Sequence, residues 1–354
     1  MVINQWVPAA HRGDAVGDSA LAVRDLLRAR GHVSEIYALT IDEDLQHDIR
    51  FFTEPDARHG DITILHVAVP SPMSEALAKL SSGRVIQYHN ITPAHFFAPY
   101  HPEIFRIATV GRIELAGLVG RVDLALGDSE YNRRELEELG FDRTLVFPIV
   151  VNTDRIKSGS PVPALEDYLN DGLSNILFVG RIAPNKRIED HIRLAEHFKR
   201  YVDTDYRFIF VGRTDAAPRY YATIRALMLQ YEMPADKFLF AGSVPDDELA
   251  VYYRTAKAYV SLSEHEGFCV PLVEAMAADL PILAYGAAAV PETLGGAGVC
   301  FTPKDLEYAA ELLGLLVYDD ALRDRVISRQ RRRLTDFGLA PVERALDTMI
   351  ASLT

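Results

Sequence analysis

Residues 151–180 read "VNTDRIKSGSPVPALEDYLNDGLSNILFVG". The stretch up to residue 174 is polar, with prolines and glycines of the kind that mark linkers and turns. The closing "NILFVG" is an apolar run ending in Gly180, which reads as a buried strand. On both sides of this stretch short β-rich apolar runs alternate with longer amphipathic stretches, the pattern of a parallel sheet with crossover helices. Before it come "VINQWV", "HVSEIYAL", "DITILHVAV", "RVIQYHNI", "VDLALGD" and "TLVFPIV"; from it onward come "NILFVG", "YRFIFVG", "KFLFAG", "AYVSLS", "PILAY" and "GVCF". The alternation therefore starts twice, and two Rossmann-like α/β units are expected.

The length agrees, because 354 residues exceed what one hydrophobic core usually supports. The expected division is 1–155 and 156–336. A helical stretch from about Asp305, broken near "DFGLAP", would return residues 337–354 to the first unit. Candidate helices carry their own stops: "DSALAVRDLLRARG" closes on Gly31 and "SEYNRRELEELG" on Gly140, with Ser129 as N-cap.

Composition excludes several classes. The net charge is −13, from 37 Lys and Arg against 50 Asp and Glu. Neither half is basic, which argues against a nucleic-acid partner. No apolar run approaches the about 20 residues a membrane span needs, although peripheral membrane contact stays open. The start "MVINQWVPAAHRGD" lacks the basic and apolar regions of a signal peptide. Cys269 and Cys300 have no metal-ligand spacing, so a reduced, cytoplasmic protein is expected.

Doubly wound sheets bind ligands beyond the carboxyl ends of their strands, and the chemically loaded motifs fall there. In "FVGRIAPNKR" a strand ends at Gly180, and Arg181 and Lys186 flank a loop opening a helix. Two cations and the N–H groups of a helix start suit a diphosphate; the bland reading is two solvated surface cations. In "SEHEGFCVPLVEAMA" Pro271 suits the first turn of a helix. Glu266 then lies in the loop before it and Glu274 about one turn inside. Gly267, Phe268, Cys269 and Val270 offer backbone N–H groups to an acceptor-rich ligand. Carboxylates accept from vicinal hydroxyls, which suits a sugar at Glu266 and a ribose at Glu274; otherwise both acids merely favour the helix dipole.

These motifs, with "FAGSVPDDELAVYYRTAKAYVSLS", resemble the retaining glycosyltransferases of family 4. The resemblance is dense over about 175–305 and weaker before it. It implies the GT-B fold, two Rossmann-like domains facing across a cleft, with an acceptor domain first and a nucleotide-sugar donor domain second. It implies transfer from a UDP- or GDP-sugar to an acceptor hydroxyl of a glycan, glycolipid or small molecule, with retained configuration. No cofactor or metal is implied. Glu266 would hold the donor sugar, Glu274 the ribose, and Arg181 and Lys186 the phosphates, while Gly242, Ser243 and Val244 would line the base.

In the first half the resemblance points to His89, at the end of "VIQYHN", as a catalytic neighbour of the donor sugar, with His66, Asn90, Thr92 and His95 nearby. The loop "HRGDAVGDSA" would bring Gly13 and Gly17 close to the donor, although Asp14 and Asp18 make it acidic for a phosphate cradle. In "LGDSEYNRREL", Arg133 or Arg134 may face the cleft. The linker turn "VVNTD" lacks the family's glycine, and "GAAAVPET" is poorer in glycine than its family counterpart. Two other readings stand beside transfer: an epimerase or glycan phosphorylase on the same architecture, and a non-catalytic subunit that binds sugar nucleotides.

Overall fold

The computed structural model describes residues 1–11 and 13–354; Arg12, within the first-loop motif, lies outside the described residues. The chain forms two compact units. One comprises residues 1–95, 103–151 and 337–354, and the other residues 96–102 and 152–336.

The first unit is built on seven strands: β1 (Ile3–Ala10), β2 (Ile36–Ile41), β3 (Arg50–Phe51), β4 (Ile62–Val67), β5 (Gly83–Tyr88), β6 (Leu124–Gly127) and β7 (Thr144–Val146). Their order is β3-β2-β1-β4-β5-β6-β7, with every pair parallel. The second has six: β8 (Ser174–Val179), β9 (Tyr206–Val211), β10 (Phe238–Gly242), β11 (Ala258–Ser261), β12 (Ile282–Tyr285) and β13 (Val299–Phe301). Their order is β10-β9-β8-β11-β12-β13, again all parallel. Helices cover both faces of such sheets, which is why strands such as Ile62–Val67 and Tyr206–Val211 are buried at every position. These are two Rossmann-like domains.

Helix ends follow local chemistry. Ser129 caps the Glu130–Leu139 helix by accepting from the Asn132 N–H, and Gly140 ends it at φ 102°. The last helix, Leu339–Leu353, buries Val342, Leu346 and Met349 against Ile3, Leu27, Ile62 and Phe147 of the first unit. Burial of each such side chain contributes about 1.5–3 kcal/mol, enough to hold the helix there. No helix among the described residues is long and apolar enough to cross a membrane.

In each sheet the strand order reverses once, between β1 and β4 and between β8 and β11. Loops leaving adjacent strands in opposite directions open a crevice at such a point. In the second unit the loops concerned are 180–187 and 262–269, which carry the two motifs singled out above.

Candidate functional site

Glycines pack the carboxyl ends of β8, β9 and β10 together. Gly180 and Gly212 have φ of 150° and 145°. Gly180 N–H donates to Val211 O at 2.8 Å, and Gly212 N–H to Gly242 O at 2.7 Å. A Cβ on Gly212 would lie 2.1 Å from Gly180 O, so only glycine fits. Gly242, at φ 72°, has open space around it. The sequence reading singled out Gly180 and Gly242 but not Gly212, whose requirement is the strictest.

The two switch-point loops are tied by Asn185, which is buried, donates to His265 O at 3.1 Å and accepts from Glu264 N–H through its own carbonyl at 2.9 Å. This tie brings Lys186 to Glu266, with the ammonium 2.6 Å from both carboxylate oxygens. The acid expected to grip a sugar and the cation expected to grip a phosphate therefore hold each other. A carboxylate has about four lone-pair positions and an ammonium three N–H bonds, so each keeps capacity for a ligand. Arg181 is exposed, and its guanidinium has no partner among the described residues.

The Ile188–Tyr201 helix is less open than expected: Tyr220 Oη accepts from its first N–H, Ile188, at 2.7 Å and in turn donates to Glu189. The N–H groups better placed for an anion are those of Cys269 and Val270 at the start of the Val270–Ala277 helix. Neither donates a bond among the described residues. Cys269 reaches this position at φ 72°. Burial, with the Glu266 charge beside it, holds its thiol well above the ordinary range, so it is a protonated filler rather than a nucleophile. Phe268 is buried and its carbonyl accepts from Thr293 Oγ1 at 2.5 Å, while Gly267 is half-buried. Behind the pair, Lys304 Nζ donates to Asp190, Leu262 O and Glu264 at 2.8, 2.9 and 3.0 Å. Burial opposes ionisation of Asp190, but Lys304, Arg187 and Arg193 hold its carboxyl below the usual range.

Glu274 is 2% exposed. Arg155 donates to its Oε1, and Tyr253 Oη donates to its Oε2 at 2.8 Å. Arg155 also lies 3.5 Å from Asp246. The sequence reading missed Arg155, which stands 119 positions from its partner in the polar linker. Val244 and exposed Ser243 lie between β10 and the Asp246–Thr255 helix.

In the first unit the His89 side chain is 3% exposed, and both its ring nitrogens are engaged. Nδ1 is 2.7 Å from Asp128 Oδ2 and Nε2 is 2.8 Å from His66 Nδ1. His66 Nε2 continues to Gln5 Oε1 at 3.0 Å. Gln5 Nε2 donates to Ala20 O, and Gln87 Nε2 to Asp128 Oδ1 at 3.0 Å. Since the Gln5 oxygen can only accept, His66 donates to it through Nε2 and turns Nδ1 toward His89. Burial and the neighbouring His89 hold His66 well below the ordinary histidine range.

Gly17 lies inside the Ala15–Ala29 helix, which Asp14 caps, and a Cβ there would meet only His11 O, at 3.9 Å. Gly13 is the left-handed residue of that loop, at φ 73°. Arg133 pairs with Glu130 and Glu137.

Residues 168–333 match the family model of glycosyl transferases group 1. The chain is 23% identical over 220 residues to O-antigen chain mannosyltransferase B of Escherichia coli, covering 61% of this chain and 57% of that protein. It is 26% identical over 302 residues to the GDP-mannose-dependent alpha-mannosyltransferase of Mycolicibacterium smegmatis, covering 77% and 76%. The chain spans little more than half the length of the first of these, and 20% of the serotype-specific mannosyltransferase WbdA of E. coli. Among solved structures, Anabaena HepE in complex with UDP-glucose superposes over 100% of both chains with a TM-score of 0.77 at 16% identity.

Proposed function

We propose that this chain, a group 1 glycosyltransferase by the domain at residues 168–333, moves a glycosyl group from a nucleoside diphosphate sugar to an acceptor hydroxyl. The observation that carries the reading is the second unit's switch point. There a guanidinium and two N–H groups without partners among the described residues, an ammonium and two buried carboxylates come from the loops after β8 and β11 and the helix that follows.

The departing group is a nucleoside diphosphate, so the chief need is to stabilise negative charge as it grows. Arg181, Lys186 and the Cys269 and Val270 N–H groups serve that need. They supply the positive charge themselves, so no metal ion is required. Glu266 accepts from donor-sugar hydroxyls with the lone pairs Lys186 leaves, and Glu274 from the ribose. The bond from anomeric carbon to phosphate oxygen breaks as the bond to the acceptor oxygen forms on the same face. The acceptor proton passes to the departing phosphate oxygen, and configuration is retained, as in family 4.

The sequence relatives named as mannosyltransferases favour GDP-mannose as the first donor to try. Thermal unfolding of the full chain with GDP-mannose, UDP-glucose, GDP and UDP, each with and without EDTA, tests the reading. A ligand at about a hundred times its dissociation constant should stabilise by about 2.7 kcal/mol. EDTA should not change that. No shift with any of the four would overturn the assignment.

A further inference from the structure

The segment joining the two units is fastened to the Asp246–Thr255 helix. A Cβ on Gly159 would lie 2.3 Å from the Ala250 Cβ, so backbone and helix touch there and no larger residue fits. Ser160 N–H donates to Asp247 Oδ1 at 2.7 Å, and Ile156 is buried. This seat delivers Arg155 to Glu274.

Glu274 needs such a partner. Burying a carboxylate is costly unless a cation and hydrogen-bond donors compensate it, and an unheld carboxylate presents no fixed pair of lone pairs to a vicinal diol. Among the described residues, the charged and titratable groups around it are Arg155 from the linker, Asp246 and Tyr253 from the Asp246–Thr255 helix, Tyr259 from β11, and Cys269 from the loop, and of these Arg155 is the cation. Burial and the Glu274 charge hold the Tyr253 phenol well above its ordinary range, so it stays a donor.

We propose that Arg155 is a positioning residue for nucleotide binding: with Tyr253 it occupies one lone pair on each oxygen of Glu274, fixes the plane of that carboxylate, and turns its two remaining lone pairs toward the 2′ and 3′ hydroxyls of a ribose. This rests on the assignment of Glu274 to the ribose made above.

The test is calorimetric titration of the full chain with GDP and UDP and with the 2′-deoxy analogue of each. Wild type should prefer the ribonucleotide. Arg155→Ala should weaken the better ribonucleotide about tenfold. It should also bind ribo and deoxy forms within about twofold of each other. Arg155→Lys, which returns the charge without the fork, should restore part of the affinity and part of the ribo preference. Tyr253→Phe should also reduce the ribo preference, which keeps the test open if Arg155→Ala does not fold. If Arg155→Ala, or Tyr253→Phe in its place, keeps the wild-type preference, the positioning role is overturned while the nucleotide site stands. If wild type binds neither nucleotide, both fall.

Discussion

Lys186 and Glu266 form a two-point ion pair between loops that leave β8 and β11, 80 positions apart in the chain. Removing one member of a largely buried pair leaves the other charge uncompensated. Lys186→Ala should therefore lower the unfolding free energy by about 3 kcal/mol as well as abolish turnover. Adding Glu266→Gln should return much of the stability and none of the activity. Chemical denaturation of the two singles and the double separates the pair's structural share from its chemistry; additive losses would refute the coupling.

Arg181 makes the opposite case. Exposed and without a partner among the described residues, its guanidinium ties no two elements there. Arg181→Ala should leave stability within about 0.5 kcal/mol of wild type. Turnover with the nucleotide sugar should fall about a hundredfold or more. A variant as active as wild type would remove this cation from the phosphate site.

Gly212→Ala should cost about 3 kcal/mol or more, because it combines a left-handed φ with a Cβ 2.1 Å from a carbonyl oxygen. Gly242→Ala, with positive φ but open space, should cost only about 1–2 kcal/mol. Parallel denaturation curves with equal midpoints would contradict the crowding at Gly180.

His191 sets an acid limit on the second unit. Its ring lies 4.9 Å from Phe178 and 5.7 Å from Phe210, and its Nδ1–H donates to Arg187 O at 3.1 Å. Burial pushes its pKa down to about 4, against an unfolded value of about 6.5. Between those values the unfolded state binds more protons, so stability rises with pH across the window and is complete above it. Acidification from about pH 6.5 to 4 should remove about 3 kcal/mol through this group. His191→Gln should flatten that part of the profile. Buried His66 shifts the same way in the first unit.

The two sheets could be read in the chain because parallel strands buried on both faces need continuous apolar runs. The β3 strand, Arg50–Phe51, left no such run and went unseen. The candidate cations and acids were also legible, since charge among apolar residues at strand ends is conspicuous. Their pairing was not. Arg155 looked like one more polar linker residue, and Gly212 like any glycine ending a strand; both acquire meaning only from atoms brought beside them by folding. The partners of His89 were hidden for the same reason, since the groups that engage its ring, His66 and Asp128, lie 23 and 39 positions away.

The polar thread from Gln5 through His66 and His89 to Asp128 and Gln87 has a consequence for assembly. Its members come from β1, β4, β5 and the turn after β6, with His66 paired directly to Gln87 across the sheet. A slip of β4 or β5 by one residue would turn its members to the opposite face. Each stranded polar group would then cost about 1–3 kcal/mol. Apolar strands alone tolerate many alignments, and their distant pairings form late. The thread closes in only one of those alignments, and so acts as a checksum on the order and offset of four strands.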